Sequence, residues 1–282
     1  MNTAGPTRLA VCEATSCMTP GDDNWRLLTA NAQDAKADMF LLNELPFGPW
    51  IAASSEPQFE ALIAVQRLHA QALKHYSELG IPIVLGNHPV FDAGNSVIEG
   101  FVWERGGTVT TAHTKQYFPN EEGWHETLWF ERGNQKFQIV EVGGLNVAFL
   151  ICTDIMFNEW ARHYGREGAD LIVVPRATPV ATLHRWKTAV QMAAVVSGCY
   201  VASSNRTGEE GNTTFGGLGW IVDPSGVVIA ETSADDPLVA ADIYRSVAAH
   251  AKREYPCYVD DVPPSYVDDV PPIEPEMLAE EL

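Results

Sequence analysis

The sequence is poor in basic residues and in cysteine, and each shortage excludes a class of protein. Eighteen lysines and arginines stand against 37 acidic residues, which gives a formal net charge of −19. Phosphates repel so acidic a chain, so we expect no nucleic acid and no anionic membrane surface among its partners. The five cysteines form no CxxC or cysteine–histidine pattern of the zinc type. An odd, scattered set of cysteines favours a reducing, cytoplasmic location over a disulfide framework.

Long apolar runs are missing as well. No run reaches the roughly 20 residues that a membrane-spanning helix needs. The start of the sequence has no charged region leading into an apolar segment, so it shows no sign of a signal peptide. We therefore expect no membrane association. Hydrophobic residues still make up 46% of the chain, which is ordinary for a globular protein with a substantial core.

The chain divides into two parts of different composition. Residues 1–254 alternate strand-like and helix-like segments without a linker-like break, which predicts one α/β domain. Residues 255–282 carry eight acidic and no basic residues, and the heptapeptide Tyr-Val-Asp-Asp-Val-Pro-Pro occurs twice in them. Such an acidic, proline-rich segment predicts an extended tail outside the packed core.

Apolar periodicity and turn residues predict most of the elements of the domain. Helical spacing predicts helices over 22–37, 56–79, 159–168 and 182–197. Hairpin-like stretches at 96–114, 137–151 and 218–231 predict mixed sheets. The aromatic-rich stretch 116–136 reads as a long loop, and loops of that length inside a compact domain are usually functional.

The clearest local unit is a strand, a turn, a helix and a second strand between residues 145 and 175. Its first strand ends at Cys152, and its second strand covers residues 170–175. Open α/β sheets place their chemistry at the carboxyl ends of strands. The positive end of the following helix would favour a thiolate there. The simpler alternative is a buried core cysteine.

Two more chemical groups follow predicted strands, and together with Cys152 they suit hydrolysis of a carbon–nitrogen bond. Glu44 ends the apolar run 39–43, and Lys115 directly follows the hairpin-like pair that ends at residue 114. A thiol nucleophile needs a base, and a carboxylate can take its proton and return it to a leaving amine. A lysine can stabilise the oxyanion of a tetrahedral intermediate. Taken singly, each could also be an ordinary solvated side chain.

The sequence resembles the nitrilase superfamily, also called the carbon–nitrogen hydrolases, over roughly residues 8–245. The matching segments stand in the order of the family: Leu42-Asn-Glu-Leu-Pro46, His113-Thr-Lys-Gln-Tyr-Phe-Pro119, Ile151-Cys-Thr-Asp154 with Gly168-Ala-Asp-Leu-Ile-Val-Val-Pro175, Ser204-Asn-Arg-Thr-Gly208, and Asp223-Pro-Ser-Gly226. The resemblance implies a four-layer α-β-β-α sandwich with two mixed β-sheets. It further implies a Glu44-Lys115-Cys152 triad, no cofactor and no metal, and a homo-oligomer, a dimer or higher.

The resemblance also implies a second glutamate between the lysine and the cysteine, which positions the lysine or the substrate. Glu126 and Glu122 are both candidates. We favour Glu126, because Glu126-Thr-Leu-Trp-Phe130 resembles the segment that bears this residue in amidase-like members. Glu122 resembles its placement in the aliphatic amidase branch and remains open as a substrate-binding residue.

The residues after Cys152 favour an amidase-like or carbamoylase-like branch. True nitrilases tend to have Trp-Glu there, whereas this sequence has Thr153-Asp154. Relatives that hydrolyse N-carbamoyl-D-amino acids place arginines just after the cysteine, where this sequence has Ile155-Met156-Phe157. A substrate carboxylate is therefore not expected at that spot.

Other residues are candidates for binding the substrate. Trp124, Phe157 and Trp186 could line an apolar or aromatic pocket, although ordinary core packing is the alternative for each of them. Arg176 is a possible anion anchor, with a salt bridge as the alternative. No sequence feature identifies the substrate itself.

Three functions follow from these features. The first is hydrolysis of a small-molecule amide or N-carbamoyl compound through a thioester acyl-enzyme, which releases ammonia or an amine. The second is hydrolysis of a nitrile to a carboxylic acid and ammonia. The third is a catalytically silent binding protein on the same fold, which the intact set of Glu44, Lys115 and Cys152 disfavours.

Overall fold

The structure is a computed structural model, and it describes residues 5–15, 17–92, 94–133 and 137–262. Its strands are β1 (Thr7–Thr15), β2 (Met39–Leu41), β3 (Ile83–Asp92), β4 (Asn95–Glu104), β5 (Thr108–Thr114), β6 (Val140–Val142), β7 (Leu145–Phe149), β8 (Leu171–Arg176), β9 (Tyr200–Glu210), β10 (Thr213–Gly216), β11 (Trp220–Val222), β12 (Val228–Glu231) and β13 (Leu238–Ile243). Its α-helices are α1 (Asp23–Ala35), α2 (Phe59–Ala72), α3 (Glu126–Trp129), α4 (Asn158–Glu167), α5 (Leu183–Ser197) and α6 (Arg245–Ala251).

The strands form two mixed sheets. The first runs β5-β4-β3-β2-β1-β13, with β1, β2 and β3 parallel and the other pairs antiparallel. The second runs β6-β7-β8-β9-β11-β12, with β7, β8 and β9 parallel, and β10 pairs with the far end of β9. The end of β1 pairs in parallel with β9, from Glu13 to Thr15, and thereby joins the two sheets along one edge.

Three apolar layers hold four structural layers together. One cluster lies between the sheets and contains alternate residues of their facing strands, such as Leu41, Leu85, Phe149 and Val173. A second cluster packs helix α1 and the segment after α2 on the first sheet, and a third packs α4 and α5 on the second sheet. The predicted α-β-β-α sandwich with two mixed sheets is confirmed.

The long helix predicted over residues 56–79 is wrong in its length. Helix α2 covers only Phe59–Ala72, and a short 3₁₀ turn follows at Tyr76–Leu79. At the start, Pro57 disfavours helical geometry for Glu56 before it. At the end, hydrogen bonds to the residue three positions back replace the α-helical ladder, and Gly80 stops the turn in the left-handed region.

Within the predicted loop 116–136, the described residues 116–133 are irregular except for the single-turn helix α3, which carries Glu126. Among the described residues, no helix is both long and apolar enough to cross a membrane. Most of the predicted tail, residues 263–282, lies outside the described residues.

Candidate active site

Three strand ends bring the predicted chemical groups to one buried place. Glu44 follows β2, Lys115 directly follows β5, and Cys152 follows β7. Each of the three side chains is almost or fully buried, with at most 2% exposure. The Lys115 Nζ donates to Glu44 Oε1 at 2.7 Å and also to Glu126 Oε2. The structure therefore places Glu126 in this cluster, where it and Glu44 bond the same lysine nitrogen.

Each charge in the cluster changes the pKa of its neighbours. Burial alone would lower the pKa of Lys115, but the carboxylates of Glu126 and Glu44 outweigh that effect and raise it. Lys115 is accordingly an ammonium ion at neutral pH. Burial raises the pKa of Glu126 to about 8, with Lys115 opposing the rise and Glu44 adding to it. The cluster combines one cation with two carboxyl groups in a site screened from water.

Cys152 sits in a strained turn at the end of its strand. Its φ is +47°, in the left-handed region that non-glycine residues seldom adopt. Such strain costs on the order of 1–3 kcal/mol and persists where the surroundings fix it. A 3₁₀ turn begins at Cys152 and ends at Met156, and the backbone between β7 and α4 changes direction there.

The expectation that the following helix favours a thiolate at Cys152 is wrong. Burial raises the pKa of the Cys152 thiol well above its ordinary value, and the charge of Glu44 raises it further. Lys115 and the Ala177 backbone N–H lower it, but by less. Helix α4 begins only at Asn158, six residues after the sulfur, because the 3₁₀ turn intervenes. The resting group is a thiol, and it needs a base.

The Asp154 carboxylate links the segment around Lys115 to the turn of Cys152 by hydrogen bonds. The sequence did not reveal this link. It bonds the Nε2 of His113 (2.9 Å) and the backbone N–H groups of Gln116 (3.1 Å), Tyr117 (2.9 Å) and Ile151 (3.1 Å). Two of these N–H donors follow Lys115 directly and one precedes Cys152. One buried carboxylate thus fixes the spacing between the two groups. Both Asp154 and His113 stand in the motif segments, but their pairing is not readable from them.

A cavity of about 200 Å³ opens on Cys152. Its walls are mainly apolar and include Pro119, Trp124, Met156, Ala177, Pro179 and Trp186. The indole N–H of Trp124 donates to the Ala177 carbonyl, and that of Trp186 to the Thr182 hydroxyl. Both indoles therefore have their polar atoms occupied within the protein. The exposed Arg185 is one of the charged side chains of the lining.

Three predicted binding residues lie elsewhere. Glu122 is exposed and lines a neighbouring cavity. Phe157 stacks on Tyr117, with ring centroids 3.7 Å apart, because the 3₁₀ turn directs it away from the cavity of Cys152. Arg176 is fully buried, where its guanidinium donates to Ser203, Thr178 and Leu218 and lies 4.2 Å from the Trp220 ring. These contacts engage the guanidinium of Arg176 within the second sheet, and no carboxylate in the described part of the chain pairs with it.

The described part of the chain contains no group of three or more His, Cys, Asp or Glu side chains that could hold a metal ion.

Comparison with known proteins identifies the family to which the chain belongs. A family model described as carbon-nitrogen hydrolase matches residues 8–253. The 2-oxoglutaramate amidase of Bacillus subtilis (strain 168) is 28% identical over 193 residues, which are 68% of this chain and 72% of that protein.

Two solved structures show the same fold. The carbon–nitrogen hydrolase from Helicobacter pylori G27 has a TM-score of 0.81 and 19% identity, with coverage of 91% of this chain and 95% of that one. The second is a glutamate-to-glutamine mutant of the amidase from Nesterenkonia sp. AN1, with the acetamide moiety of fluoroacetamide covalently added at its active-site cysteine. Its TM-score is 0.71 at 20% identity, and coverage is 89% of this chain and 97% of that one.

The fold is therefore that of the nitrilase superfamily. The chain belongs to the carbon–nitrogen hydrolase family, and the resemblance stated from its motifs is confirmed. It is an amidase-like hydrolase of carbon–nitrogen bonds.

Proposed function

We propose that the protein hydrolyses a small-molecule amide, with Cys152 as nucleophile, Glu44 as general base and acid, and Lys115 as the cation that stabilises the oxyanion. The observation that carries this proposal is the buried Lys115 ammonium, which bonds Glu44 at 2.7 Å and also Glu126 while its charge acts on Cys152. Burying charged groups costs several kcal/mol per ion unless they compensate one another. Such an arrangement at a strained cysteine is typical of a reacting site.

The first half-reaction makes a thioester. Glu44 takes the thiol proton as the sulfur attacks the carbonyl carbon of the amide, and the carbon–oxygen electron pair moves onto oxygen. The Lys115 ammonium stabilises that oxyanion. Glu44 then gives the proton to the amide nitrogen, the carbon–nitrogen bond breaks, and ammonia or an amine leaves.

The second half-reaction uses water. Glu44 takes a proton from water, whose oxygen attacks the thioester carbon beside the same lysine. The carbon–sulfur bond breaks, and Glu44 returns the proton to the sulfur. The sum is one amide and one water converted to one carboxylic acid and one amine or ammonia.

The lining of the cavity favours a substrate whose acyl group is mainly apolar. Its indole walls offer no free N–H, since Trp124 and Trp186 donate within the protein. Pro119 and Ala177 add further apolar surface. The covalent addition of the acetamide moiety of fluoroacetamide at the active-site cysteine of the Nesterenkonia amidase mutant supports a nucleophilic cysteine at this position of the fold.

The test is ammonia release from a panel of amides, N-carbamoyl compounds and nitriles, with Cys152→Ala as the inactive control. We expect turnover of amides by the wild-type chain, none by Cys152→Ala, and an acyl mass on the peptide of Cys152 after rapid quenching. Preferential turnover of nitriles or carbamoyl compounds would replace the amide assignment. Turnover by Cys152→Ala would contradict the mechanism. No turnover in the panel, with Cys152 inert to iodoacetamide, would favour a silent binding protein.

A further inference from the structure

The Glu44 carboxylate has one side-chain hydrogen bond among the described residues. Lys115 Nζ donates to Oε1, and the buried Oε2 has no hydrogen-bond partner among them. A single hydrogen bond to one oxygen does not by itself fix the orientation of the carboxylate. The position of Glu44 therefore depends on the backbone that carries it.

That backbone lies in a turn beyond the end of its strand. Strand β2 ends at Leu41, and beyond it the N–H of Glu44 donates to the carbonyl of Arg176, at the end of β8, at 3.1 Å. Leu45 has a φ of +41°, in the left-handed region, which costs an ordinary residue roughly 1–2 kcal/mol. Such a turn needs partners from outside to persist.

The side chain of Asn87, on β3, supplies them on both sides of Glu44. Its Nδ2 donates to the carbonyl of Asn43 at 3.0 Å, and its Oδ1 accepts from the N–H of Leu45 at 2.7 Å. Asn87 is fully buried. An amide side chain suits this place because it offers a donor and an acceptor at once, whereas a carboxylate would offer two acceptors.

Arg206 holds the same turn from its other end. Its guanidinium donates to the carbonyl of Leu45 and pairs with Glu210 at 3.0 Å. The guanidinium also lies over the rings of Trp50 and Phe215, at 5.7 and 5.4 Å. With both its N–H and its carbonyl bonded, the Leu45 residue is fixed in the strained conformation.

We propose that Asn87 is a positioning residue for Glu44: it clamps the peptide groups that flank Glu44 and so aims the carboxylate without touching the reacting atoms. The inference rests on the proposed function of Glu44. Misplacing a reacting group by about 1 Å can cost on the order of 10²-fold in rate. Because Asn87 acts only through Glu44, its contribution vanishes once Glu44 can no longer transfer a proton.

The test is a double-mutant cycle on the full-length chain with the best amide of the panel. We expect Asn87→Ala to lower kcat about 10²-fold with little change in KM. In the Glu44→Gln background, the same Asn87→Ala change is expected to cause almost no further loss. Equal losses in both backgrounds, or a normal kcat for Asn87→Ala alone, would overturn the inference.

Asn146→Ala is the matched control for general destabilisation. Asn146, on β7, also donates its side-chain amide to a backbone carbonyl, that of Gly168 at 3.0 Å, far along the chain from Glu44. We expect it to lower the melting temperature and leave kcat unchanged. If Asn87→Ala does not fold, Asn87→Ser replaces it in the cycle, because the shorter serine hydroxyl leaves a polar group in the buried site but cannot span both peptide groups. Near-normal activity of Glu44→Gln by itself would instead refute the proposed function, and this inference with it.

Discussion

At the scale of single residues, burial determines the chemistry of the site. Cys152, Glu44 and Lys115 are almost or fully withdrawn from water. Burial raises the pKa of Cys152, so the thiol cannot supply a thiolate by itself at neutral pH. The carboxylate that disfavours the thiolate, Glu44, is also the group expected to remove its proton. Under the proposed mechanism, we therefore expect proton transfer to Glu44 to accompany the attack of the sulfur on the substrate.

Glu44→Gln tests this role directly. Glutamine keeps the shape of the side chain and its contact with Lys115 but cannot accept the thiol proton. We expect kcat to fall by about 10²–10⁴, the usual range for a positioned acid–base group. The measurement is steady-state ammonia release across a pH range. A near-normal rate with an unchanged pH profile would rule the role out.

The pKa of the Cys152 thiol depends on the sign of the charge on each neighbouring side chain. The Glu44 carboxylate raises the pKa of the thiol and the Lys115 ammonium lowers it. Glu44→Gln is therefore expected to move thiolate formation to lower pH, and Lys115→Met to move it to higher pH. The thiolate absorbance in the ultraviolet measures this, with the spectrum of the matching Cys152→Ala protein subtracted. Shifts in the same direction for both variants would contradict the electrostatic account.

Glu126 and Glu122 make a matched pair of variants. Glu126 is buried on Lys115, whereas Glu122 is exposed in a neighbouring cavity. Glu126→Gln removes the carboxyl group that we propose orients the lysine, so we expect a loss of at least about 10²-fold, as for a lost oxyanion donor. Glu122→Gln is expected to stay near the wild-type rate. Ammonia release at saturating substrate decides, and the reverse ranking would give the role to Glu122.

At the scale of elements, helices α4 and α5 pack on each other and both contact the 3₁₀ turn of Cys152. Gly165 of α4 meets the backbone of Ser197 of α5, and a Cβ there would lie 2.3 Å from the Ser197 carbonyl oxygen. That oxygen belongs to the main chain and cannot rotate away. The two helices can approach so closely only because position 165 has no side chain.

Gly165→Ala is therefore expected to destabilise the fold by about 1–3 kcal/mol, as overpacking usually does, since the helices must separate. Urea unfolding measures the change in the free energy of unfolding. Glu167→Ala, on the exposed part of the same helix, is the control and is expected to change it by less than about 0.5 kcal/mol. Equal stability of Gly165→Ala and the wild type would show that the contact relaxes without cost.

Elements with a local signal could be predicted from the sequence, and their bounds shift by only a few residues. The strand before Cys152, helix α4 and strand β8 follow from periodicity and from Gly168, which ends α4 in the left-handed region. The candidate residues Glu44, Lys115 and Cys152 were singled out because they follow predicted strands and because their segments resemble the family motifs. Asn87 was not found, because its partners lie 42 and 44 positions away in the chain. The direction of Phe157 depends on a 3₁₀ turn that apolar spacing does not encode.

At the scale of the whole molecule, the pairing of β1 with β9 explains why distant segments share one site. These strands join the two sheets at Glu13–Thr15. Glu44 and Lys115 come from the first sheet and Cys152 from the second. The site therefore lies where both sheets end, and it forms only when the two halves of the sandwich are packed together. No single hairpin or βαβ unit carries it, which is a long-range feature that local patterns cannot reveal.

The acidic tail is the remaining feature of the whole chain. Its first described residues fold back on their own chain, where the carbonyl of Val259 accepts from Arg166 at 2.6 Å and from Arg162. Asp261 pairs with both arginines, at 3.4 Å in the case of Arg166. The arginines of α4 thus recognise the first copy of the repeated heptapeptide. The second copy, residues 266–272, lies outside the described residues.

We predict that the tail docks on a neighbouring subunit and helps to hold a homo-oligomer together. Its tyrosines and valines offer more apolar anchors than a purely solvating tail needs, and its prolines lower the ordering cost of an extended segment on a surface. Truncation after Arg253 is expected to reduce both the oligomer mass, measured by light scattering at matched concentration, and the melting temperature. Arg162→Ala in the full-length chain is the control, because it weakens only the contact of the tail with its own α4 and is expected to leave the mass unchanged. An unchanged mass and melting temperature after truncation would make the tail a solubilising segment only.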